Sequence, residues 1–221
     1  MIARTAPVHP SETRRLLLEA AILCFAEKGF QATTTREIAD RAGKLVSLIA
    51  YHFGTKEQLY LSCFEHMMER KPHAPMDPAY QDLETVKGNP QMAEQALRSV
   101  IRGVVEDLFA SAGDPMTEAL IKLFMAEMGS PRPFLHPLFR DRMNDSVRLT
   151  RACIQALRPG IQDTEVSFLG QCIIGQCLIQ RLAAGSNALF WRPQPPPEPP
   201  LATADRIADF ILRGLNHRES T

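Results

Sequence analysis

The chain has 221 residues, 45% of them hydrophobic and 23% charged, with 25 Lys and Arg against 25 Asp and Glu. A chain of this length buries a substantial core in one larger or two smaller domains. Its longest apolar runs, such as Cys172 to Ile174 and Cys177 to Ile179, are cut by Gly, Gln and Arg well short of the ~20 residues that span a bilayer, so no membrane partner is expected.

From Met1 to Pro10 there is neither an apolar core nor a small-residue cleavage site, and a cytoplasmic location is expected. Beyond that, apolar residues recur at three- and four-residue spacings, and no alternating run bounded by turn residues suggests a sheet. The fold class is therefore expected to be all-α. A first helix over Ser11 to Lys28 carries the stripe Leu17, Ala21, Cys24, Phe25 and Lys28, and Gly29 supplies a left-handed C′ residue. Thr34-Thr35-Arg36-Glu37 reads as a capping box that opens a short helix with Ile38, Ala39 and Ala42 inward, ending at Gly43. A second short helix, Val46 to Phe53, follows at once, and two short helices around a Gly make a helix-turn-helix. Thr55-Lys56-Glu57-Gln58 is a second capping box, opening a helix with Leu59, Tyr60, Cys63, Phe64 and Met67 on one stripe and stopping before Pro72.

Pro72 to Pro90 is rich in Pro, Asp and Gly and reads as a connection with at most one short helical turn. Further helices are expected over Gln91 to Ala112, Pro115 to Met128, Pro133 to Leu157, Thr164 to Ala184 and Ala202 to His217. Between the last two, the run from Pro193 to Pro200 is expected to be an extended, semi-rigid spacer.

The five cysteines, Cys24, Cys63, Cys153, Cys172 and Cys177, lie in apolar helical contexts and read as small buried hydrophobes. Neither they nor the six His show a metal-ligand spacing, and no Gly-rich phosphate loop or nucleophile elbow is present. No metal, cofactor or catalytic residue is expected. Residues 1–71 carry ten Lys and Arg against eight Asp and Glu, a weak basic excess that decides nothing alone.

The segment from Leu17 to Tyr60 resembles the DNA-binding domain of the TetR family. The matching residues are Leu17-Leu18-Glu19-Ala20-Ala21, Phe25, Gly29-Phe30, Thr33-Thr34, Arg36-Glu37-Ile38-Ala39, Ala42-Gly43 and Tyr51 through Tyr60. The second half resembles the CecR-like branch of that family in Gly170-Gln171-Cys172, in Leu178 to Arg181, and in the acidic helix end and Pro-rich turn of Met125 to Pro133. The resemblance implies a helix-turn-helix DNA-binding domain over 1–71 and a helical effector-binding and dimerisation domain over 72–221.

It also implies roles. Thr33, Thr34, Arg36 and Lys56 lie at helix starts where the family meets phosphate, and unpaired amides at such starts favour anions. The recognition helix would pack Ile49 and Phe53 inward and turn Ser47, Leu48, Ala50, Tyr51 and His52 to the groove and its rim. Lys44 in the turn reaches a base or a phosphate. His52 is either a backbone contact or a helix-end surface group, and Leu48 either touches a thymine methyl or packs on a neighbouring helix. Leu45 departs from the small polar cap usual there.

For dimerisation, Phe168, Leu169, Cys172, Ile173, Gln176, Ile179 and Gln180 form a broad apolar surface with Gly170 and Gly175 permitting close approach. Two such subunits would read two half-sites of a double-stranded DNA operator. Leu120, Phe124, Met128, Phe139, Met143 and Phe168 are the candidates for an adaptable apolar pocket holding a small-molecule effector. The expected function is a ligand-responsive repressor. The other class is a helical protein-binding adaptor, which would lack the salt-dependent affinity for duplex DNA that phosphate contacts confer.

Overall fold

In a computed structural model of the chain, the described residues are 10–70, 83–109, 113–183 and 199–216, and every regular element among them is helical. The order is α1 (Pro10–Ala32), α2 (Thr35–Ala42), α3 (Ser47–Phe53), α4 (Lys56–Arg70), α5 (Leu83–Gly88), α6 (Pro90–Phe109) and α7 (Pro115–Met128). A 3₁₀ turn (Pro133–Leu135) leads into α8 (His136–Leu157), followed by α9 (Asp163–Ala183) and α10 (Pro200–Asn216). Most of the proline run expected to be extended lies outside the described residues, and Pro200 itself opens α10. None of these helices is long and apolar enough to cross a membrane.

The chain divides into two compact units, residues 1–71 with 111–140, and residues 72–110 with 141–221. The expected boundary at 71/72 is one edge of that division. Residues 111–140, assigned on the sequence to the second domain, pack with the first. The reason lies in α7, whose buried positions Ala119, Leu120, Leu123 and Glu127 recur at helical spacing and join the core made by α1 and α4.

In the first unit the expected stripes are the buried ones. Leu17, Ala21, Cys24 and Phe25 of α1 meet Leu59, Tyr60, Cys63, Phe64 and Met67 of α4, with Ile38 and Ala39 of α2 closing one side. Aromatic rings form much of the contact. Tyr60 stands edge-on to Phe25, Phe30 and Phe64 at 4.8, 4.9 and 5.2 Å, Phe64 meets Phe139 at 5.6 Å, and Phe139 meets Phe124 at 6.2 Å. Edge-to-face pairs at these separations add about 0.5–1.5 kcal/mol each beyond burial. Lys28, placed on the inward stripe by its spacing, is instead exposed and pairs with Glu37 at 2.6 Å. α7 starts where it does because the Asp114 side chain accepts from the Thr117 amide at 3.0 Å, with Pro115 in the first turn.

The second unit is built on α6, whose Ala93, Leu97, Ile101 and Val105 stripe packs on Ala204, Ala208 and Leu212 of α10, with Leu149 and Cys153 of α8 and Ile173 and Cys177 of α9. Two ion pairs set the antiparallel register of α6 and α10, since Arg98 meets Asp209 and Arg102 meets Asp205, each at 2.7 Å. Cys24, Cys63, Cys153 and Cys177 are buried and unbridged, and burial pushes the Cys153 and Cys177 thiols up to about 12 and about 11.

Between α3 and α4 the backbone at Gly54 has φ +78°, and a side chain there would also collide with Gln58 Oε1, the atom that caps the Thr55 amide at 2.9 Å. Gly54→Ala is expected to destabilise the protein by about 1–3 kcal/mol, combining backbone strain with a lost cap. Thermal denaturation checks this, and an unchanged melting temperature would contradict it.

Candidate nucleic-acid interface

The helix-turn-helix is fixed from below by α1. Thr34 caps α2, its Oγ1 accepting from the Glu37 amide at 3.2 Å while the Thr34 amide donates to Glu37 Oε2 at 2.9 Å. Both halves of the capping box are thus present. Glu37 also receives Lys28 of α1, and Arg41 at the other end of α2 reaches Glu27 of α1 at 2.7 Å. These pairs are solvent-exposed and individually weak, but they tie both ends of α2 to α1. α2 ends at Gly43, left-handed at φ 63°, whose amide is directed at Ala39 O and Asp40 O.

The turn then delivers α3 with Ile49 and Phe53 buried and its other face open. Leu45 and Tyr51 are 73% and 78% exposed, so two large side chains of the turn and helix point to solvent. Ser47 and Ala50 are exposed, His52 is half-buried, and its ring lies edge-on to Tyr51 at 4.9 Å. Val46 occupies the N-cap position of α3 and no side chain caps that helix. Arg36 is exposed in the first turn of α2, and Lys44 is half-buried in the turn.

Two of the sequence-derived candidates are turned from the open face. Thr33 is fully buried, its hydroxyl donating to Cys24 O at 3.1 Å and Gly29 O at 2.8 Å, so its side chain fastens the end of α1 and is withdrawn from phosphate. Leu48, for which the sequence left a thymine-methyl contact or packing open, packs against the core of the first unit, and the exposed aliphatic side chains nearby are Leu45 and Val46.

α4 begins with Gln58 and Thr55 exchanging hydrogen bonds at 3.2 and 2.9 Å. Lys56 Nζ sits 4.5 Å from the centroid of the Phe30 ring and 3.4 Å from Gln31 O. The same ring carries a second cation, Arg132, at 4.8 Å. Arg132 in turn pairs with Glu127, which has no exposed surface and also accepts from the Tyr60 hydroxyl at 2.9 Å and from the Arg132 amide at 2.9 Å. Burial pushes the Tyr60 hydroxyl up to about 12, opposed by Arg132, so it remains a donor at neutral pH. Of this group, the sequence singles out only the helix end and Pro-rich turn of Met125 to Pro133. The further signal was there, since Glu127 continues the apolar spacing of Leu120 and Leu123.

Of the effector candidates, Leu120 is core and Phe124 and Phe139 form an edge-to-face pair in the first unit, with Met128 half-buried on the same helix as Phe124. Met143 and Phe168 belong to the second unit, and Phe168 is 57% exposed on α9, so it does not line an interior cavity as expected. Of the dimer candidates, Ile173 faces its own core, Leu169 packs beside that core, and Cys172, Gln176 and Gln180 are half-buried, while Gly175 and Ile179 are exposed. Among the described residues no three His, Cys, Asp or Glu side chains gather as a metal site.

Residues 17–63 match the family described as bacterial regulatory proteins, tetR family, and residues 93–215 match the C-terminal domain of the HTH-type transcriptional dual regulator CecR. The chain belongs to the TetR family, with a CecR-type C-terminal domain. It is similar along its length to the dual regulator CecR of Shigella flexneri, at 28% identity over 96% of each chain. It also resembles the transcriptional repressor AcnR of Corynebacterium efficiens, at 36% identity over 44% of this chain and 43% of that one. The fold is shared with the regulator FadR of Bacillus subtilis, solved with stearoyl-CoA, at TM-score 0.57 and 16% identity over 90% of this chain and 98% of that one. As a TetR-family member the protein is a transcriptional regulator with a helix-turn-helix, and its family is not one of enzymes.

Lys28, with the Thr34 amide and hydroxyl, holds the Glu37 carboxyl down to about 2 from its ordinary 4.5. The group is depressed on folding, so its contribution is complete above about pH 4.5 and is lost as pH falls towards about 2. The melting-temperature gap between wild type and Glu37→Ala should therefore be constant above about pH 5 and narrow below about pH 4. Melting curves over that range check it, and a gap independent of pH would contradict it.

Proposed function

We propose that the protein is a repressor that binds a two-fold DNA operator as a homodimer and is released by a small apolar or amphipathic molecule. The observation that carries the DNA reading is the open face of α3, flanked by cations at the helix starts on either side. Thr34, Arg36, Lys44, His52 and Lys56 are assigned to backbone contacts. Ser47 and Tyr51 are assigned to the groove and its rim, with Leu45 and Val46 offering apolar surface to thymine methyls.

Dimerisation is supported by exposed apolar residues on two packed helices: Phe168 and Ile179 on α9, Leu201 and Phe210 on α10. Large apolar side chains left in water on neighbouring elements mark an association surface. In this reading Gly175 and Ile179 stay in the interface, with Cys172, Gln176 and Gln180 at its edge. A single α3 reads few base pairs, and a two-fold dimer doubles the site.

For the effector, Phe124, Met128 and Phe139 are the adaptable side chains of the first unit. FadR holds an acyl-CoA within the same fold, and AcnR is a repressor, which is the sense proposed here.

Two measurements test this. Lys56→Ala should weaken binding to all duplexes about equally and reduce the slope of log affinity against log salt by about one unit. Retention of the full slope would remove Lys56 from the contacts. Ile179→Arg should leave a folded monomer by sedimentation that no longer binds a two-fold site, because a charge buried at an interface without a partner is costly. An intact dimer would place the interface elsewhere.

A further inference from the structure

We infer that Glu127 and Arg132 are positioning residues for DNA binding, acting on Lys56 through the Phe30 ring; this rests on the proposed role of Lys56 at the DNA backbone. Glu127 is wholly buried at the end of α7, and a buried carboxylate is tolerated only when its oxygens are satisfied. Its three donors are the Tyr60 hydroxyl, the Arg132 amide and the Arg132 guanidinium. Two of them come from the residue that opens the 3₁₀ turn, so Glu127 dictates both the path of that backbone and the direction of its side chain.

So directed, the guanidinium lies 4.8 Å from the Phe30 centroid and 5.5 Å from that of Tyr60. A planar guanidinium can stack on a ring while bonding a carboxylate at its edge, which an ammonium cannot do as well. Phe30 is otherwise held by Tyr60 at 4.9 Å, by Phe134 at 5.8 Å and, in a stacked pair, by Phe25 at 5.9 Å. Phe134 follows Arg132 closely in the chain, so one of the ring's three aromatic neighbours comes from the same turn. Lys56 then rests on this ring at 4.5 Å, at the first residue of α4. A long, rotamer-rich side chain already tethered near its binding pose loses less freedom on meeting phosphate. α7, which carries Phe124 and Met128, thereby reaches the start of α4 through an unbroken series of contacts, Glu127 to Arg132 to Phe30 to Lys56.

The inference is tested with the full-length protein and a fluorescent duplex that the wild type selects from a random pool. Arg132→Met removes the stacked cation. Because it leaves the Glu127 charge unpaired, Glu127→Gln with Arg132→Met is measured beside it; this removes the buried charge and leaves one amide oxygen to accept from one of the two remaining donors, the Tyr60 hydroxyl or the residue-132 amide. Both variants should bind about tenfold more weakly at fixed salt, with the salt slope reduced by about one unit. Adding Lys56→Ala to either should cost nothing further, because the lost contact is the same one. A purely structural role would lower the melting temperature and leave the slope intact, which would overturn the inference. Additive losses would overturn it too, since Arg132 would then act independently of Lys56. A wild type that selects no duplex would instead overturn the DNA-binding reading on which the inference rests.

Discussion

A carboxylate without solvent has to find every hydrogen bond inside the protein, and Glu127 finds them only while α4, α7 and the turn at Arg132 hold one arrangement. The rings around Tyr60 would tolerate some sliding, because dispersion and area burial have little directional preference. Hydrogen bonds from Tyr60 and Arg132 to one buried group do not. The first unit is therefore a helix-turn-helix locked onto α7 rather than a freestanding three-helix domain, and the aromatic series from Phe30 to Phe124 fills the space that the polar group organises.

The open face of α3 follows from that rigidity. Seven residues make too short a helix to persist alone, and α3 is held by Ile49 and Phe53 in the core and by capped neighbours on both sides. Everything not used for anchoring is left in solvent: Leu45, Val46, Ser47, Ala50 and Tyr51. An apolar and aromatic surface of this kind at the turn and first residues of a recognition helix has no folding role, which is what makes it informative about partners.

Much of this could be read in the sequence where the determinant is local. Thr34 with Glu37, and Thr55 with Gln58, declare helix starts by their own side chains, and stripes such as Leu17, Ala21, Cys24 and Phe25 declare one buried face. Reading failed where the determinant is distant. Thr33 and Thr34 are indistinguishable neighbours until α1 turns at Gly29, at φ 76°, and draws the Thr33 hydroxyl inward. α9 is apolar nearly all round, so periodicity could not say that Ile173 faces its own core while Phe168 and Ile179 face water. Nor could any local pattern assign α7 to the first unit, because that packing joins residues such as Tyr60 and Glu127 that lie far apart in the chain.

In the proposed function, two copies of this chain present two α3 faces to one DNA duplex. Selection of bound duplexes from a random pool by the full-length protein tests it most directly. A two-fold dimer should enrich an inverted repeat whose two halves lie about one helical turn or more apart. Enrichment of a single asymmetric half-site, or of no sequence at all, would contradict it.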